Sequence, residues 1–158
     1  MHAVDIENQF GGTAFTAAAT AQLAAIYPRL DREHDQVVIG ASCSATAFEG
    51  GRGWAGARLV CRHGHDGADL ALADVLLNEN IENRFDRVVI GSGDGLFAPI
   101  AAHLATLGVE VGVVARRGHL STALRLAAAW VEYLPEEPFL QATAVALPTF
   151  PASMRSAA

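Results

Sequence analysis

The sequence of 158 residues contains no lysine: all 11 of its cationic side chains are arginines. They are outnumbered by 17 aspartates and glutamates, giving a formal net charge of −6. A protein that grips nucleic acid by broad charge neutralisation is basic, so that class is excluded. Any contact with nucleic acid must rest on a local site built from a few arginines. The missing lysine reads as the imprint of a GC-rich genome rather than a functional signal. Cysteine is scarce as well. Cys43 and Cys61 have no Cys-x-x-Cys spacing, which leaves no disulfide framework and reads as two small buried residues in reducing surroundings. Long apolar runs are absent: Gln22, Arg125 or a glycine interrupts each one, short of the roughly 18–20 residues that span a bilayer. The first residues, Met1-His2-Ala3-Val4-Asp5, carry no positive segment and do not read as a signal peptide. The expectation is a soluble, cytoplasmic protein with no membrane partner.

What is abundant points to one packed domain. Hydrophobic residues make up 51% of the chain and charged residues 18%, the reverse of a disordered composition. Short β-branched runs alternate with alanine- and leucine-rich helical runs. Strands are expected over Val4–Ile6, Gln36–Gly40, Ala57–Arg62, Arg87–Gly91 and Val109–Val114, with a short edge segment over Val131–Leu134. Between them, Thr13 is expected to N-cap a helix in which Phe15, Ala19, Leu23 and Ile26 recur at helical spacing and which Pro28 ends. Further helices are expected over Ser42–Phe48, Asp69–Asn83, Phe97–Leu107 and Leu120–Trp130. The run Gly50-Gly51-Arg52-Gly53-Trp54-Ala55-Gly56 reads as a flexible loop. Strands bounded throughout by helices mean β-α-β units, hence a three-layer α/β/α domain around a mainly parallel sheet of five or six strands. That domain spans residues 1–134. A tail over 135–158, with four prolines and no periodicity, is suited to drape over its own domain or over a second copy in a homodimer.

In an open parallel sheet, ligands bind beyond the carboxyl ends of the strands, where the strand order reverses. Three aspartates fall there: Asp5 at the end of the first strand, Asp94 after the fourth, and Asp69 opening the helix after the third. If the first and fourth strands are neighbours, Asp5 and Asp94 face each other and Asp69 approaches from its helix. Three converging carboxylates repel unless a cation intervenes, and hard ions such as Mg²⁺ or Mn²⁺ take oxygen ligands. Such a site can activate water and steady a phosphoryl group, which is the chemistry of phosphodiester hydrolysis. The plainer alternative makes Asp69 a favourable first-turn carboxylate and Asp94 the start of a turn. Asp5 resists that alternative, because an aspartate ending a hydrophobic strand needs a reason.

The segments Val4-Asp5-Ile6-Glu7-Asn8, Gly67-Ala68-Asp69-Leu70-Ala71-Leu72 and Val88-Val89-Ile90-Gly91-Ser92-Gly93-Asp94-Gly95 resemble, in order and spacing, three landmarks of the NYN domain. That domain is a branch of the PIN-like ribonuclease superfamily, and the resemblance spans about residues 3–134. It implies the strand order 3-2-1-4-5 and metal-dependent cleavage of RNA. Asp5, Asp69 and Asp94 match the family's metal-binding aspartates, and Asn8 matches its asparagine after the first strand, in a catalytic role. Two positions depart from the family pattern. Leu96 stands where a second aspartate is common, and Asp66 where a basic residue is common. Both favour the alternative of a catalytically silent RNA- or protein-binding module.

Around this constellation, Arg116 and Arg117 follow the fifth strand on the same side as Asp94. Their guanidinium forks suit phosphate, which makes them candidate substrate contacts. Ser92 can bond a substrate phosphate or the backbone of its own turn. Asp74 is either a compensating carboxylate or a solvated helix residue. His63, His65 and Asp66 with Cys61 have the residue types of a zinc site but lack the following Asp-His and any later histidine block. Arg52 and Trp54 offer a cation and a stacking face to a single-stranded base, unless Trp54 packs inward.

Overall fold

The computed structural model describes residues 1–31 and 33–135; most of the tail, 136–158, lies outside them. Six strands form one sheet: β1 (His2–Asp5), β2 (Val37–Ala41), β3 (Arg58–Cys61), β4 (Arg87–Gly91), β5 (Glu110–Ala115) and β6 (Trp130–Tyr133). Their order is β3-β2-β1-β4-β5-β6, and every pairing is parallel. The expected order extends by one strand, and the reversal point lies between β1 and β4.

Helices cover both faces, so the inner strands must be apolar on both sides. α1 (Ile6–Phe10), α2 (Ala17–Ile26) and α3 (Ser44–Gly53) occupy one face; α4 (Gly67–Asn78), α5 (Phe97–Thr106) and α6 (Thr122–Ala127) occupy the other. Alternation along the strands assigns each side chain to its layer. Ala3, Val38, Val88, Ile90, Val111 and Val113 point to the α4–α6 side. Val4, Ile39, Val89 and Val114 point to the α1–α2 side, against Phe10, Phe15, Leu23, Tyr27 and Trp54.

Several boundaries differ from the sequence expectation for identifiable reasons. The strand expected to include Ile6 stops at Asp5, whose carboxylate accepts the Asn8 amide at 3.0 Å and so caps α1. Gly11, at φ +75°, closes that helix after only five residues. The cap of α2 is Thr16, not Thr13. Of the glycine-rich run expected as a loop, Gly50–Gly53 are the end of α3 and Trp54–Gly56 a turn; α3 lies against α2 so closely that a Cβ on Gly53 would sit 2.3 Å from the Ala17 carbonyl oxygen. Trp54 is 3% exposed and packs edge-on to Tyr27, so it offers no stacking face to a base. The helix expected to reach Asn83 ends at Asn78, and a 3₁₀ turn follows at Ile81–Asn83. The last helix stops at Ala127, freeing Trp130 for β6. Both cysteines are free thiols, Cys43 half-buried and Cys61 exposed on edge strand β3, which corrects the expectation that they are buried.

Leu72 illustrates the packing. It is fully buried and sits over Gly40 of β2, where a Cβ would come within 2.6 Å of Leu72 Cγ. The substitution Leu72→Ala is expected to cost about 2–5 kcal/mol through lost burial and the cavity left behind. Urea unfolding checks this; a cost under 1 kcal/mol would mean that α4 is not held against β2 in this way.

Candidate functional site

Beyond the carboxyl ends of the strands lie two neighbouring cavities that share Glu7 and Asn8. The first, of about 550 Å³, is also lined by Gly11, Gly93, Asp94, Gly95, Arg116, Gly118, His119, Leu120 and Ser121. The second, of about 280 Å³, is lined by Asp5, Ser42, Gly64, His65, Asp66, Gly67, Ala68 and Asp69 as well. The expected aspartates therefore divide between them: Asp5 and Asp69 face one cavity, and Asp94 faces the other. Among the described residues no three His, Cys, Asp or Glu side chains gather into a group able to hold a metal ion. Asp94 nevertheless lies near enough to Asp69 for its charge to raise the Asp69 carboxyl.

Asp5 and Asp69 do meet. Asp5 is 4% exposed and Asp69 is 8% exposed. Burial pushes the Asp5 carboxyl up to about 8, against the amide hydrogen bond from Asn8, and the nearby Asp69 carboxyl raises it further. Asp69 is also raised, first by burial and then by the charges of Asp94 and Asp66, while its interaction with Asp5 works in the opposite direction. Two carboxyls this close cannot both ionise cheaply, so without a cation the pair shares a proton. Asp69 Oδ1 is buried and, among the described residues, accepts no hydrogen bond. An orphaned carboxyl oxygen beside a cavity fits a hydrated divalent cation, which would be held by Asp5 and Asp69, with Asp94 acting across the shared floor.

Asn8 is the keystone between strands. Its backbone N–H donates to Asp5, and its Oδ1 accepts the Gly93 amide at 3.0 Å, fastening α1 to the β4–α5 loop. Asp94, exposed at the cavity mouth, accepts the Leu96 amide at 2.8 Å. Ser92 is fully buried, and its hydroxyl accepts the Asp94 amide at 3.2 Å, so it shapes the turn and does not line the cavity.

The two candidate arginines separate. Arg116 lines the first cavity, its guanidinium lying across Gly11; a Cβ there would come within 2.1 Å of Arg116 Nη1. Arg117 instead sits 5.2 Å from the centre of the Tyr133 ring, away from both cavities. Asp74 is exposed, accepts the Asn78 side-chain amide at 2.7 Å and lines a different depression near Arg58 and Cys61, so it does not compensate for Leu96. His65 pairs with Asp66 at 2.8 Å in the open, and the zinc grouping is not formed among the described residues.

Glu7 escaped the sequence reading. It stood in plain view between Asp5 and Asn8 but looked like the residue that merely ends the strand. Gly11, His119 and Ser121 were missed as well, since each reaches the cavity through a loop whose path the sequence does not show.

A parallel sheet in the order 3-2-1-4-5-6, with an acidic cleft at its reversal point, defines a doubly wound α/β domain, and the family match places it in the PIN-like superfamily. The chain belongs to the NYN domain family, whose model matches residues 37–134. The match begins at β2, so Asp5, Glu7 and Asn8 lie ahead of it. No curated protein and no solved structure matches the chain. No helix among the described residues is long and apolar enough to cross a membrane.

Proposed function

We propose that this NYN domain is a metal-dependent endoribonuclease hydrolysing RNA phosphodiester bonds, with Mg²⁺ or Mn²⁺ held by Asp5, Asp69 and Asp94. The observation that carries the reading is the buried Asp5–Asp69 pair, whose unpartnered oxygen lies beside a cavity at the sheet's reversal point. When bound, such an ion lowers the pKa of a water and offsets charge on the phosphoryl group. Asp5 and Asp69 supply the fixed negative charge, and Asn8 holds the β1 and β4 ends in register so that both cavities open on one floor. Arg116 lines the neighbouring cavity with a guanidinium suited to a backbone phosphate. RNA would therefore lie across the floor with a phosphate between the arginine and the carboxylate pair.

Labelled single-stranded and structured RNA, incubated with Mn²⁺ or with EDTA, tests the reading beside Asp94→Asn. This variant keeps an Oδ1 able to accept the Leu96 amide, so the turn survives while the charge is lost. The expected result is cleavage in Mn²⁺, none in EDTA, and a loss of roughly 10- to 100-fold in the variant. Cleavage indifferent to EDTA would overturn it. The second reading, a catalytically silent RNA-binding module, draws on the absence of a compact three-carboxylate group among the described residues. It expects RNA binding without cleavage in either buffer.

A further inference from the structure

The floor shared by the two cavities is made by Glu7 and Asn8. Asn8 is committed on its backbone and its carbonyl oxygen. Glu7 is committed on one side only. Its Oε1 lies within hydrogen-bonding distance of three donors: the Ser42 amide at 2.7 Å, the Ser42 hydroxyl at 2.8 Å and the Thr46 hydroxyl at 2.7 Å. Among the described residues its Oε2 accepts none. Thr46 is 1% exposed, so the clamp on Oε1 is set into the body of the protein. Donors converging on one oxygen fix the orientation of the carboxylate. The free oxygen is left as a charged acceptor at the junction of the acidic and arginine-lined cavities.

Two further observations decide what such an acceptor is for. Asp69 Oδ1, in a side chain more than nine-tenths buried, has no partner beside the same floor and needs a positively charged or proton-donating occupant. Among the described residues no three His, Cys, Asp or Glu side chains gather into a group that could surround a bare ion. Small divalent ions lose their waters reluctantly and are often held through them, and each retained water needs an acceptor of its own.

We propose that Glu7 is an outer-sphere carboxylate of the cation site, its Oε2 accepting a hydrogen bond from a water carried by the ion, with Ser42 and Thr46 as the residues that aim it. This inference rests on the cation reading given under Proposed function and adds a positioning network from the β2–α3 turn and α3 to it. The competing account makes Glu7 a clip, fastening α1 to the β2–α3 turn with no part in binding. The accounts differ in what charge does. Glu7→Gln retains an oxygen able to accept from Ser42 and Thr46 but removes the negative charge, so a clip survives the change and an ion's partner does not.

Calorimetric titration of the full chain with Mn²⁺ alone, without RNA, separates them. The expected result is a dissociation constant raised at least roughly 10-fold in Glu7→Gln, the loss characteristic of outer-shell partners. Thermal unfolding in EDTA is expected to show the variant no less stable than the parent, since one repelling charge has gone. Should Glu7→Gln fail to fold, Thr46→Val carries the test. It keeps the charge and the volume but releases the aim, and a weaker but measurable loss of Mn²⁺ affinity is expected. A parent that binds Mn²⁺ while both variants match it would overturn the role of Glu7 and leave the cation reading standing. A parent that binds no Mn²⁺ would overturn both.

Discussion

Asp5→Asn is expected to make the metal-free protein more stable at pH 8 than the parent, and to abolish its stabilisation by Mn²⁺. The sign follows from linkage. The Asp5 carboxyl is raised from its ordinary value near 4 to about 8 in the folded chain, chiefly by burial. Between those values the native state holds a proton that the unfolded chain releases, so the parent loses stability as pH rises from about 4 through about 8. A shift of this size corresponds to a few kcal/mol, shared with Asp69 because the two titrate as a pair. Asparagine carries no proton to lose, and its side-chain oxygen can still accept the Asn8 amide, so the cap on α1 remains. The difference between the two proteins should therefore vanish below pH 4 and grow towards pH 8. Adding Mn²⁺ at about 100 times its dissociation constant should stabilise the parent by about 2.7 kcal/mol and leave the variant unmoved. Thermal unfolding from pH 4 to 9, with EDTA or Mn²⁺, reads both effects. A parent curve that is flat relative to the variant across that range would contradict the buried pair.

The sheet was legible because its signal is redundant. Val88-Val89-Ile90 and Val37-Val38-Ile39 are apolar on both faces, which only an interior parallel strand requires, and α4 between them buries Leu72, Val75 and Leu76 at helical spacing. β3 was found despite its exposure because the alternation of strand and helix demanded a strand there. What failed were elements governed by local contacts. α1 is too short to show a period; its only marks are Asp5 at the cap, three residues before Asn8, and Gly11 at the exit. The glycines near the end of α3 looked like a loop because glycine is a poor helix former, whereas tertiary packing needed them: Gly53 admits α2, and Gly51 admits Leu59 of the edge strand.

The site was half legible for a related reason. The position of an aspartate relative to a strand end can be read from one dimension, and so Asp5, Asp69 and Asp94 were all found at the correct edge of the sheet. Which aspartates share a cavity depends on how far each loop travels after its strand. Asp69 comes back to Asp5 because α4 starts early, at Gly67, where a Cβ would come within 1.8 Å of the Arg62 carbonyl oxygen. Asp94 is carried outward by a turn whose amides are satisfied by Ser92 and by Asp94 itself. Glu7 acquires its meaning only from Ser42 and Thr46, some 35 and 39 residues further along the chain.

Gly93→Ala is expected to be among the most damaging single-methyl changes near the cleft. Gly93 lies in the loop between β4 and α5, against the loop that follows β5. A Cβ there would lie 1.9 Å from the His119 carbonyl oxygen and 2.7 Å from its carbon, both backbone atoms that no rotamer change can move. The same residue ties three segments together: its amide donates to Asn8 Oδ1 at 3.0 Å, and its carbonyl accepts the Ser121 amide at 2.9 Å. Making room for the methyl group must part the β4–α5 loop from the β5–α6 loop, and so displace Asp94, Arg116 and Asn8 relative to one another. Overpacking of this kind costs about 1–3 kcal/mol, which in a domain of this size lowers the melting temperature by several degrees. Misplacement by about 1 Å can remove roughly 100-fold of activity, so cleavage should fall further than stability alone explains. Gly95→Ala is the matched control: its Cβ would meet only the Ser121 side chain, at 3.3 Å, where a small adjustment suffices. Melting temperatures and RNA cleavage rates of the two variants, side by side, make the comparison. Equal tolerance of both would show that the two loops are not locked together at Gly93.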